Sequence, residues 1–103
     1  MSLPIGDEYE NVGCWMDTDS RALEILAWTI DPPDVIPKCF RLAKNRGYKT
    51  FALQWGVQCF GGANDTAHKK YGPSANCQEN GRGGDWGYQV YRIKEGKAKL
   101  VSS

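Results

Sequence analysis

A small α+β domain is the architecture to expect from this chain: one antiparallel sheet, one main helix packed on it, and disulfides bracing the frame. Three observations point to it. Residues 48 to 60 (Tyr-Lys-Thr-Phe-Ala-Leu-Gln-Trp-Gly-Val-Gln-Cys-Phe) alternate in polarity and break once at Gly56, as a hairpin does. Residues 34 to 47 carry apolar side chains at helical spacing between an aspartate and a glycine. The chain holds four cysteines, an even number, in only 103 residues, and so short a chain buries a modest core that cross-links would support.

Each element follows in chain order. Residues 9 to 15 read as a short strand with Cys14 at its end. Asp17, Asp19 and Ser20 form a polar turn. Calcium takes six or more oxygens, so an Asx-turn with solvated carboxylates is the better reading of it. Residues 22 to 30 are ambiguous between helix and strand and are read as irregular and partly buried. Asp31-Pro32-Pro33-Asp34 is punctuation. Asp34 is a better N-cap than Asp31, because it places Pro37 in the first turn, where the missing N–H costs nothing. Ile36, Cys39, Phe40 and Ala43 then share one face of a helix over residues 35 to 46. Lys44 and Arg46 suit the C-terminal end of its dipole, and Gly47 is a natural C′ residue.

The central hairpin comes next. Phe51, Leu53 and Trp55 alternate with Thr50, Ala52 and Gln54 as in a half-buried strand, and the turn falls near Trp55-Gly56. Cys59 lies on the second arm. Residues 61 to 85 are rich in glycine and asparagine and read as a long loop with a short helical piece around Thr66 to Tyr71. A loop of that length is usually functional or pinned covalently. The last strand spans Trp86 to Ile93, with Trp86, Tyr88 and Val90 on one face and Tyr91 and Ile93 on the other. The Lys-Glu-Gly-Lys-Ala-Lys tail beyond it reads as solvated. The sheet is thus built from segments near residues 10, 51, 59 and 90, and Trp15, Phe51, Leu53, Tyr88 and Val90 are assigned to the core.

Composition excludes several function classes. The chain is 41% hydrophobic and 24% charged with a net charge of +1. It should therefore fold, and it carries neither a nucleic-acid footprint nor a polybasic membrane patch. No apolar run is long enough for membrane insertion. No signal peptide is visible, but Met1-Ser2-Leu3-Pro4 looks like an added leader, so that absence says little about a parent protein. Cysteine separations of 25, 20 and 18 residues are unlike the close pairs of zinc sites, and His68 is the lone histidine. Two disulfides are favoured over a metal, and no cofactor is expected. Asn64-Asp65-Thr66 is an N-glycosylation triplet, which adds a little to the case for secretion.

Catalysis is poorly supported. The chain offers no nucleophile elbow and no phosphate loop. Glu79 and Asp85 could serve a glycosidase, but nothing places them together. Binding is better supported, since four tryptophans and five tyrosines are many for this length. Trp55 at a hairpin tip and Trp86 beside Gly83, Gly84 and Gly87 are the least easily buried. A sugar site needs an apolar ring for C–H faces and planar polar groups for hydroxyls. Gln54, Gln58, Asn64, Asp65 and His68 could supply the latter, although each is also an ordinary loop residue.

These residues together resemble the WSC domain, a small extracellular cysteine-rich module. The matching positions are Tyr9 to Trp15, Arg21-Ala22-Leu23, the helix around Cys39, Gly47-Tyr48-Lys49 with Phe51 to Gln54, and Gln58 to Gly61. Lys70 to Cys77, Gly83-Gly84 and Val90-Tyr91 complete them, so the similarity covers residues 9 to 93. The resemblance implies a PAN/apple-like fold and an extracellular, lectin-like carbohydrate-binding or adhesion role. A protein-interaction module of a larger receptor is the alternative. The family usually has eight cysteines. Here Ala43 and Gly61 stand where two that pair with each other would be, and a late bridge beyond Cys77 is missing as well.

The pairing carried over from the family is Cys14 with Cys77 and Cys39 with Cys59, worth roughly 4 and 3 kcal/mol by loop closure. It implies a shallow ligand site where the hairpin tip meets the glycine-rich loop, both held covalently. Trp55 or Trp86 would be the platform and Gln58, Asn64 and His68 the rim. Gly61, Gly62, Gly83 and Gly84 would keep that surface low.

Overall fold

The computed structural model describes residues 8–18, 20–64, 66–78 and 80–94. Asp19, Asp65, Glu79 and the terminal segments, all named above, lie outside them. The elements run β1 (Tyr9–Met16), β2 (Glu24–Ala27), α1 (Val35–Asn45), β3 (Thr50–Gln54), β4 (Gln58–Gly62), a 3-10 turn (Ala67–Lys69) and β5 (Gly87–Ile93). The five strands form one antiparallel sheet in the order β1-β5-β3-β4-β2, and α1 packs on it. No helix among the described residues is long and apolar enough to cross a membrane.

Local sequence explains the helix. Pro37 falls in its first turn, and Gly47 takes φ 77° just past its end, where its N–H donates to the Lys44 carbonyl. Asp34 precedes the first turn as expected, but it does so at φ 63° and its side chain makes no capping hydrogen bond. The buried stripe is Val35, Cys39, Phe40 and Ala43, and Ile36 packs beside it half-exposed. Val35 thus takes the buried place expected of Ile36.

The core has two halves, one on each face of the sheet. On the helix side, Phe51, Leu53, Tyr91 and Ile93 pack with Phe40, Ala43 and the Cys39–Cys59 disulfide. On the opposite side, Ala52, Phe60, Tyr88 and Val90 pack with Leu23, and Trp15, Ile25 and Ala67 close over them. For this reason β3 is buried at all five positions, rather than at every second one as its alternation suggests. Ala43 is fully buried, and a side chain at Gly61 would collide with the Tyr48 ring.

Two sequence readings need correction. Residues 24 to 27 are an edge strand, not irregular chain: they pair with β4 from Glu24 opposite Gly61 to Ala27 opposite Cys59. Asp17 is not a solvated carboxylate. It is 2% exposed and its carboxylate is ion-paired with Arg21. The second disulfide, Cys14–Cys77, spans 63 residues and ties the glycine-rich loop to β1. None of the four cysteines is free.

Candidate functional site

Antiparallel pairing brings distant segments to one end of the sheet. The last residue of β1 (Met16), the residue after β2 (Trp28), the turn after β3 (Trp55) and the residue before β5 (Trp86) all fall there. Among the described residues these four are also the exposed large hydrophobic ones, at 40%, 58%, 50% and 38%. They mark a row of exposed apolar positions across the strand order, from β1 to β2.

The backbone at this end is strained. Trp55 and Trp86 hold φ 59° and 55°, the left-handed region that bulky side chains rarely adopt. Each costs of order 1–2 kcal/mol relative to a relaxed backbone. The strain is held by contacts between the hairpin tip and the glycine-rich loop. The Trp55 N–H donates to the Gly84 carbonyl at 3.2 Å, and the Gly56 N–H to the Arg82 carbonyl at 3.1 Å. Gly84 has no room for a Cβ, which would lie 1.8 Å from the Asn76 carbonyl oxygen.

Arg21 organises the rings. Its guanidinium carbon lies 5.2 Å from the Trp86 ring centre, 5.8 Å from Trp28 and 5.6 Å from Phe60. It thus has Trp28 and Trp86 as neighbours and Phe60 beneath it, on the face of the sheet opposite α1. Asp17 holds it there through the ion pair, and accepts a further hydrogen bond from the Ala22 N–H at 3.4 Å. The Asp17 N–H in turn donates to the Trp86 carbonyl at 2.9 Å, and the Leu23 N–H to the Tyr88 hydroxyl at 3.3 Å. Burial, and then the Asp17 charge, push the Tyr88 hydroxyl well above its ordinary pKa. The cluster therefore holds a cation, its matching carboxylate and two exposed indoles, a surface suited to stacking and hydrogen bonding.

No protein-family model matches this chain, and no curated protein matches its sequence.

The residues singled out from the sequence divide into two groups. Gln54, Trp55, Gln58 and Trp86 lie at the end just described. Gln54 is fully buried, so its amide does not reach solvent as a rim residue would. Gln58 is opposite it across the hairpin. Asn64 and His68 are not part of this cluster. Asn64 follows β4 beyond the far end of the sheet, where Thr50 pairs with Gly62. Its side-chain oxygen accepts from Thr66 N, Thr66 Oγ1 and Ala67 N at 2.9–3.0 Å, as an Asx-turn does. His68 is 3% exposed and packs edge-on against Trp15 at 5.0 Å. With Thr50, Lys69 and Arg92 it lines a separate cleft of about 230 Å³. Sequence reasoning missed Arg21, Trp28 and Asp17. The Arg-Ala-Leu match at residue 21 was the one local signal that could have pointed to them.

Proposed function

We propose that this domain is a non-catalytic carbohydrate-binding or adhesion module of the WSC kind, an extracellular part of a larger protein. The observation that carries the reading is the pair of exposed indoles, Trp28 and Trp86, set about Arg21. Indole faces stack on the C–H faces of pyranose rings, and guanidinium and carboxylate groups bond sugar hydroxyls. Two disulfides fit an oxidising compartment, and the WSC resemblance argues the same way. One shallow site gives weak affinity, so useful strength would come from several copies in the parent protein.

The test is a glycan array probed with the domain in multivalent form, followed by tryptophan fluorescence on any hit. Trp28→Ala and Trp86→Ala should each abolish capture with the circular dichroism unchanged. The width of the row, from Met16 to Trp28, favours a protein partner as the second reading, because Trp and Arg dominate protein hot spots. Failure of every glycan to bind the multivalent form would leave that reading in place of the first.

A further inference from the structure

Two side-chain amides lie at the same end of the sheet as the indole cluster. The side-chain amide of Gln54 is fully buried, and neither its Nε2 nor its Oε1 has a hydrogen-bond partner among the described residues. The Oε1 of Gln58, its cross-strand neighbour, is likewise buried and unpartnered. Strand alternation puts both glutamines on the face that carries Ala52 and Phe60, the face on which Arg21 lies. Buried amides without partners weaken a fold, and an apolar side chain of the same shape would strengthen it.

We infer that Gln54 and Gln58 are the hydroxyl-reading floor of the Trp28–Trp86 site, and that the site takes neutral rather than acidic pyranosides. The inference rests on the glycan reading of the same end of the sheet. An amide offers a donor and an acceptor side by side, the pattern that a pair of adjacent sugar hydroxyls complements. Gln54 is covered in the free protein, with Gly83 against its backbone and Arg21 over Phe60 on the same face, so a sugar reaches the amides by displacing what covers them. The Arg21 guanidinium is already matched by the buried Asp17 carboxylate, and the exposed Asp85 stands next to Trp86 in the chain. An acidic sugar would gain no net attraction and would compete with Asp17 for the same guanidinium. The strained Trp55, next to Gln54 in sequence, fits a region shaped for binding at the expense of stability.

The experiment compares the unmodified domain with Gln54→Met, which keeps length and volume. Thermal unfolding is measured alongside capture on an array of cello-, manno-, galacto- and chito-oligosaccharides, with uronic-acid, sulfated and sialylated glycans as the opposing set. The expected result has three parts: a higher Tm for Gln54→Met, capture of neutral oligosaccharides by the unmodified domain, and roughly tenfold or greater loss of that capture in the variant. Gln58→Met, at a partly exposed position, repeats the test should Gln54→Met fail to fold. A lower Tm for both variants would give the amides a structural role and overturn the inference. So would unchanged capture, or preference for the acidic set. Absence of any capture by the unmodified domain would instead remove the glycan reading itself, and this one with it.

Discussion

Arg21 is ion-paired with the buried carboxylate of Asp17, four residues before it, while its guanidinium lies 5.2 Å from the Trp86 ring centre. The two partners are unequal. The Asp17 side chain is wholly buried, whereas that of Arg21 is 26% exposed. Removing the cation therefore strands a charge in the interior, and removing the carboxylate leaves a charge that can still reach water. Arg21→Ala should cost about 3 kcal/mol and Asp17→Asn clearly less. Urea unfolding of both variants measures the asymmetry, and equal losses would contradict the burial argument. Arg21→Lys should not rescue, since an ammonium cannot stack between indoles as a guanidinium does.

Phe40 anchors α1 to the sheet. It is 4% exposed and lies 5.0 Å from the Tyr9 ring and 5.9 Å from the Phe51 ring. Phe40→Ala should destabilise by roughly 3–5 kcal/mol. A loss below about 1 kcal/mol would mean that the cavity collapses or that the helix face contributes little.

Gly84 is where the glycine-rich loop touches the hairpin tip. A Cβ there would lie 1.8 Å from the Asn76 carbonyl oxygen, and backbone cannot yield as a side chain can. Gly84→Ala should lower stability by about 1–3 kcal/mol and break the Trp55 N–H to Gly84 carbonyl bond. The checks are chemical denaturation and amide hydrogen exchange at Trp55. Unchanged protection there would show that the loop does not hold the tip.

Alkaline pH should reveal two buried phenols. Burial pushes Tyr91 up to about 12, and its hydroxyl donates to the Gly81 carbonyl at 2.7 Å. Tyr88 is raised by burial and by Asp17. An unfolded tyrosine ionises near pH 10, so above that value the unfolded chain binds fewer protons than the folded one. Stability falls wherever the unfolded state binds fewer protons. The contribution of Tyr91 is thus fully present below about pH 10 and lost as pH rises toward about 12. A tyrosinate absorbance titration followed together with circular dichroism should find these two phenols ionising only late. Ionisation of all five tyrosines at one midpoint near 10, with native dichroism, would refute their burial.

How much of this was legible in the chain depends on whether its cause was local. The helix at Val35–Asn45, the turn at Trp55-Gly56 and the strand ending at Ile93 were readable, because proline position, a C′ glycine and side-chain alternation act within a few residues. Tertiary structure alone decided the rest. Glu24–Ala27 has no clear period of its own and becomes a strand because β4 offers it an edge. Gln54 reads as the polar side of a half-buried strand, yet it is wholly buried with the glycine-rich loop laid against it, where a Cβ at Gly83 would lie 2.9 Å from its Cα. Trp28 and Trp86 are 58 residues apart and meet about Arg21 only through antiparallel pairing across the sheet. Asn64 and His68 look adjacent to the hairpin tip along the chain, but β4 is about 13 Å long and carries them away from it. Local preferences set the elements. Which side chains share a surface follows from strand order and from which faces are covered, and neither is written in any short stretch of residues.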